Sequence, residues 1–123
     1  MAIYNFQTIR GDSRLLSFTV TKQNGDVLNL TAAKIWMTAK YNFTDTDLQA
    51  VFQKTTDPGG GITIPQPTLG TVEIQIDPID TSTLPAKNII LFFDVQIKTS
   101  DQQIFTILSG KMTIIPDVTI STT

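Results

Sequence analysis

The chain contains no cysteine and no histidine. The first absence excludes disulfides, thiolate metal sites and thiol nucleophiles. The second removes the commonest general base and the commonest metal ligand. Ser13, Ser17, Ser82, Ser100, Ser109 and Ser121 therefore lack the usual activating imidazole, and no Ser-x-x-Lys element replaces it. Positive charge is scarce too. Nine Lys and Arg against eleven Asp and Glu give a net charge of −2, so the basic footprint of a nucleic-acid binder is missing. No apolar run approaches the roughly 20 residues of a membrane-spanning helix. Residues 1–10 show neither a basic n-region nor an apolar h-region, so no secretory signal is read there. The expectation is a chain made in the cytosol that stays there or leaves by assembly or lysis. It is expected to take no cofactor, metal or small-molecule substrate, and to bind neither nucleic acid nor membrane.

What is present is β-forming. Roughly a third of the chain is Thr, Ile or Val, residues that are stiff at χ1 and suit a pleated, half-buried surface. The 123 residues suffice for one domain, 1–123, with a core of its own. Alternation with a period of two dominates. Leu16, Phe18 and Val20 alternate with Ser17, Thr19 and Thr21, and Asn24-Gly25 then signals a tight hairpin returning through residues 27–30. Ile35, Met37 and Ala39 form the next inward set, with Trp36 on the outward parity. Val72, Ile74 and Ile76 alternate with Glu73 and Gln75, and Leu91, Phe93, Val95 and Ile97 alternate with Phe92, Asp94, Gln96 and Lys98. A last pair of strands, 104–108 and 111–115, surrounds Gly110, where a bulge or close packing is expected.

Between these lie excursions. Residues 44–47 read as a helix start or a loop, followed by a strand from about Ala50. Gly59-Gly60-Gly61 is a turn, residues 62–64 are a brief strand, and residues 77–84 make one helical turn. Seven or eight short strands separated by turn signals predict an all-β sandwich, with a small closed barrel as the other solution.

Chemistry-bearing clusters are few. Asp45 and Asp47, and Asp77 and Asp80, are the paired carboxylates available to a hydrolase, but they fall in turns, where Asp caps and bends the backbone. Asp45, Asp47 and Asp57 offer oxygen ligands for calcium without EF-hand spacing or a bidentate Glu. The glycine run lacks the Lys-Ser/Thr of a phosphate loop. Arg10-Gly11-Asp12 matches an integrin-binding tripeptide by letter, and Asn29-Leu30-Thr31 and Asn42-Phe43-Thr44 match glycosylation sequons; each is short enough to arise by chance. The sequence therefore reads as non-enzymatic, with no catalytic, cofactor or metal residue. The remaining candidates are outward-parity or terminal apolar residues: Tyr4, Phe6, Trp36, Ile90 and Phe92. They form either a contact surface or the lining of a second minor core.

The order of the turn and strand signatures carries more than any one of them. Arg10-Gly11-Asp12 opens an alternating strand, Asn24-Gly25 precedes residues 27–33, and Asp45-Thr46-Asp47 leads into residues 50–55. Residues 61–64, Gly70-Thr71-Val72, residues 80–84 and residues 93–97 follow, and Leu108-Ser109-Gly110 and residues 116–119 close the series. From about Thr8 to Thr119, this succession resembles the small immunoglobulin-like structural domains of tailed bacteriophages and prophages. Among these it is similar to the N-terminal domain of the phage baseplate upper protein. The resemblance implies an immunoglobulin-like β-sandwich with one or two short helical turns. It further implies a virion component, synthesised in the host bacterial cytoplasm, that docks on other tail, baseplate, head or fibre proteins. A homo-oligomer within the assembly is expected, with a terminal strand near residues 4–9 or 118–123 taking part in contacts. The alternative is a module recognising host glycans or proteins, with Trp36 stacking on a sugar ring.

Overall fold

A computed structural model describes residues 2–22, 24–42 and 44–118. Nine strands run in the order β1 (Ala2–Ile3), β2 (Phe6–Ile9), β3 (Arg14–Thr19), β4 (Lys34–Lys40), β5 (Phe52–Thr55), β6 (Ile62–Thr63), β7 (Thr71–Ile76), β8 (Ile89–Lys98) and β9 (Ile104–Ile115). A short helix α1 (Pro78–Ser82) joins β7 to β8. The larger sheet has the order β1-β9-β8-β4-β5, with β2 following β1 along the same edge of β9; the smaller has the order β3-β7-β6. Two packed sheets, rather than one closed barrel, are therefore the solution adopted.

Alternation explains the layering. Ile89, Leu91, Phe93, Val95 and Ile97 of β8, and Ile35, Met37 and Ala39 of β4, point inward and are buried. Val72, Ile74 and Ile76 of β7 meet them from the other sheet, and Leu16, Met112 and Ile114 complete the same core. Phe18 is only half-buried and packs at its margin. Burying each large side chain contributes about 1.5–3 kcal/mol, so one shared core is what holds the layers together.

Two expectations change. Residues 27–30 form no strand: only Thr21 and Val27 bridge, and the Leu28 and Leu30 N–H groups go to the carbonyls of Val20 and Pro67. The Asn29 side chain accepts the Thr31 N–H, a local turn that competes with ladder pairing. Residues 104–108 and 111–115 belong to one twelve-residue strand. Its irregularity lies at the Val95/Gln96 step of β8, opposite Ile107, and not at Gly110. Gly110 is instead the close approach, where a Cβ would collide with the carbonyl oxygen of Tyr4. There the pairing of the β1–β2 ribbon with β9 is interrupted between Ile3 and Phe6 without a change of register, and Asn5 Oδ1 accepts the Lys111 N–H in place of a main-chain partner. The excursion at residues 44–50 is a single 3-10 turn, Asp47–Gln49, and the strand after it starts at Phe52.

The flanks of the sandwich differ. On one flank Thr55 bridges to Gly61, tying β5 to the start of β6. Beneath that corner, Lys54 points inward from an edge strand and is buried. Its Nζ lies 2.6 Å from Asp80 Oδ2 and 3.2 Å from Asp77 Oδ2. Asp80 Oδ2 also accepts the Asp77 N–H, closing the first turn of α1. Lys54→Ala is expected to cost about 3–5 kcal/mol in urea unfolding, because Asp80 is left desolvated without its cation; a loss below about 1 kcal/mol would contradict this. Gly110→Ala is expected to release β1–β2 from β9, read as rapid amide exchange at Thr8, with the β7 amides still protected.

Candidate functional site

The outward parity of the larger sheet forms one broad face, and strand register fixes its layout. One row runs Ile3–Ser109–Asp94–Thr38–Gln53 across five strands. The row on one side is Lys111–Phe92–Lys40, and on the other Thr106–Gln96–Trp36–Thr55. An open depression of about 910 Å³ lies over these rows. Phe92 thus flanks Asp94 along β8 and Trp36 lies diagonal to it on β4, on the opposite side, each half-buried.

Polar contacts hold this face in shape. Gln53 Nε2 donates to Thr38 Oγ1 at 2.9 Å, and Gln96 Nε2 to Thr106 Oγ1 at 3.4 Å. Lys40 Nζ pairs with Asp47 Oδ1 at 2.9 Å and donates to the Asp45 carbonyl, anchoring the 3-10 turn at the rim. The aromatic rings carry cations: Lys34 Nζ is 5.1 Å from the Trp36 ring centroid, and Lys111 Nζ is 5.9 Å from that of Phe92. At the centre, burial pushes the Asp94 carboxyl above its ordinary pKa; Lys40 partly opposes this and Asp47 adds to it. The arrangement is a shallow, open depression with two aromatic anchors, amides and hydroxyls between them, and a half-buried carboxylate in the middle.

The sequence-predicted residues distribute unevenly. Trp36 and Phe92 share the face, and Ile90, about half exposed, extends it along β8. Tyr4 lies between β1 and β2, its ring stacked on Phe6 at 5.4 Å. Phe6 is not a surface residue: it is buried and meets Phe93 edge-on, because inward parity on β2 faces the core. The residues of this face that the sequence does not join to the site include Asp94, Lys40, Gln53 and Asp47. The outward parity of Asp94 and Lys40 is legible in the sequence, but the pairing of β4 with β5 and the 3-10 turn that bring Gln53 and Asp47 beside them are not.

Other motifs are absorbed by structure. Arg10 Nε pairs with Asp117 Oδ1 at 2.8 Å, and its Nη1 donates to the Leu84 carbonyl. The Gly11 N–H donates to the buried Thr81 hydroxyl. The Arg10-Gly11-Asp12 tripeptide therefore fastens the end of β2 to α1, and the Arg10 bond holds the Asp117 carboxyl below the usual carboxylate range. Asp77 and Asp80 converge on Lys54 instead of facing each other across a groove. Asp45, Asp47 and Asp57 go separately to the Asn42 N–H, Lys40 and Lys34. Residues 119–123, part of the expected terminal strand, lie outside the described residues. No protein-family model matches the chain, and no curated protein matches it.

Asp94 gives a pH signature. A carboxyl whose folded pKa is raised destabilises the fold while ionised. That cost is present at neutral pH and is relieved as pH falls through the raised value toward the ordinary one. Asp94→Asn is expected to melt at or above the parent temperature at pH 7, the difference shrinking on acidification. A variant that melts well below the parent at pH 7 would contradict the assigned cause.

Proposed function

We propose that this chain is a non-enzymatic, immunoglobulin-like structural module of a tailed-phage virion, docking on neighbouring virion proteins through the outer face of its larger sheet. Strand order supports the immunoglobulin-like reading. A smaller sheet β3-β7-β6 against β9-β8-β4-β5 has the connectivity B-E-D against G-F-C-C′, and β2 joins the last strand in parallel. The resemblance in motif order supports the virion setting, with synthesis in the host cytoplasm before assembly.

One observation carries the docking reading: two half-buried aromatic residues flank a partly desolvated carboxylate on an open sheet face. Aromatic anchors within a polar surround are the composition of protein–protein contact centres. Glycan recognition would need a ring face open to a sugar, and here Lys34 and Lys111 already occupy one face of each ring. Docking on protein is therefore the reading the geometry favours.

The test is incorporation into particles. Trp36→Ala with Phe92→Ala leaves the inward core set intact, so the double variant keeps its far-UV circular dichroism. Its amount in purified virions, read by quantitative mass spectrometry, is expected to fall by about tenfold or more. Incorporation equal to the parent would refute docking through this face. A folded variant that is incorporated normally but no longer binds a glycan array would instead support the glycan alternative.

A further inference from the structure

A sheet edge is a row of unpaired N–H and C=O groups, and three of the edges here are partly satisfied from within the chain. β5 and β6 meet at the Thr55–Gly61 corner, where the Thr55 N–H goes to the Gly60 carbonyl. Along β2 the Tyr4 and Arg10 N–H groups face β9, donating to Ser109 and Ile115. Gln7 and Ile9 therefore present their main chain outward. Both carbonyls are taken, by Arg14 Nη1 at 2.7 Å and by the Asp12 N–H.

The edge of β3 is different. Val20 donates its N–H to Gly70, and Gln75 on β7 donates to Gly61 on the opposite side. Combined with the antiparallel register, these bonds direct the main chain of Arg14, Leu16 and Phe18 toward β7. The N–H and C=O groups of Leu15, Ser17 and Thr19 therefore point away from the sheet, with no partner among the described residues. The side chains beside them are exposed. No proline or bulge interrupts the six residues of this strand, and its one charge, Arg14, stands at the first position on the inward parity, over the Phe6 ring, leaving the outward row of Leu15, Ser17 and Thr19 uncharged. Next to it runs an apolar groove of about 1470 Å³, walled on the far side by Ile3, Tyr4, Phe105 and Ile107.

We infer that β3 is a self-association edge: it pairs antiparallel with β3 of a second copy of this chain, about a two-fold axis through Ser17. The register follows from the free groups. Ser17 pairs with its own copy and Leu15 with Thr19, so each of the outward N–H and C=O groups is used in about six inter-chain bonds. The smallest side chain of the strand lies on the axis. Continued past the two strand ends, the same register sets Asp12, in the turn before β3, near Lys22 of the mate, in the turn after it, twice. Among the described residues neither has an ion-pair partner within its own chain, and the groove wall includes Arg14 and Lys22 but no acid. Opposite charges facing across a strand pair are favourable, and here they select the copy over a slipped register. The product is a continuous six-stranded sheet, β6-β7-β3 joined to its mate. This inference does not depend on the virion setting or on the outer face, because it is read on the purified chain.

Sedimentation equilibrium over a concentration series up to about 1 mM is expected to show a reversible monomer–dimer equilibrium. Ser17→Pro removes one outward N–H and places a ring on the axis, without touching a bond to β7. It is expected to keep the parent circular dichroism and remain monomeric throughout. Lys22→Glu, on an exposed turn, is expected to weaken the dimer by about fivefold or more, and adding Asp12→Lys to restore it. A parent chain that stays monomeric at the highest concentration would overturn the proposal, including the case where an unrelated extended peptide binds the edge instead. A folded Ser17→Pro variant that dimerises like the parent would also overturn it, as would a charge reversal that Asp12→Lys fails to rescue.

Discussion

Every main-chain donor and acceptor at the margin of a sheet must find a partner or face water, and this requirement shapes the molecule more than any single contact. The core itself is conventional: inward-facing Ile, Val, Leu, Met and Phe from two sheets, merged in one cluster. What distinguishes the chain is how its margins are finished. On the β5–β6 flank the sheets are stitched by a bridge and by a buried lysine held between two carboxylates. On the β2 flank, outward carbonyls are satisfied from the turn and strand that follow. One edge receives none of these treatments.

The charged side chains that looked like chemistry serve the same end. Lys54, Asp77 and Asp80 attach an edge strand to the connection between β7 and β8. Arg10, Thr81 and Asp117 attach the end of the N-terminal ribbon to the same connection and to the segment after β9. Helix α1 is thus a junction: two distant edges are fixed to it, one on each side of the sandwich. A buried ion pair adds little net stability compared with apolar packing, but removing one member is costly. Such pairs suit a part whose edges must stay in one geometry.

Much of this was legible in the sequence because a period of two leaves little freedom. Residues 72–76 and 91–97 could bury one face only, and they do. The turn at Asp77–Asp80 and the brief strand after the glycine run were readable from capping and breaker residues. Register was not. Nothing local says that Gln53 comes to lie beside Thr38, or that Lys54 will face inward from an edge. Those facts depend on which strands pair. At Gly110 the sequence leaves two solutions, because glycine permits both a bulge and a close approach, and only the path of the N-terminal ribbon decides for the close approach. For Phe6 the sequence leaves open a contact surface or a minor core, and pairing of its strand with β9 turns its parity into the core. Of the contact face, Trp36 and Phe92 were readable from parity, whereas the half-buried carboxylate between them required the fold.

The open edge also bears on how a small sandwich works in an assembly. A contact made by main-chain groups tolerates sequence change at exposed positions, and pairing through β3 leaves the outer face of the larger sheet free on both copies. The measurement that tests this most directly is amide hydrogen exchange on the parent chain as a function of concentration. Protection at Leu15, Ser17 and Thr19 is expected to rise with concentration, while Leu16 and Phe18, bonded to β7, stay protected throughout. Fast exchange at Leu15, Ser17 and Thr19 at every concentration would contradict the account.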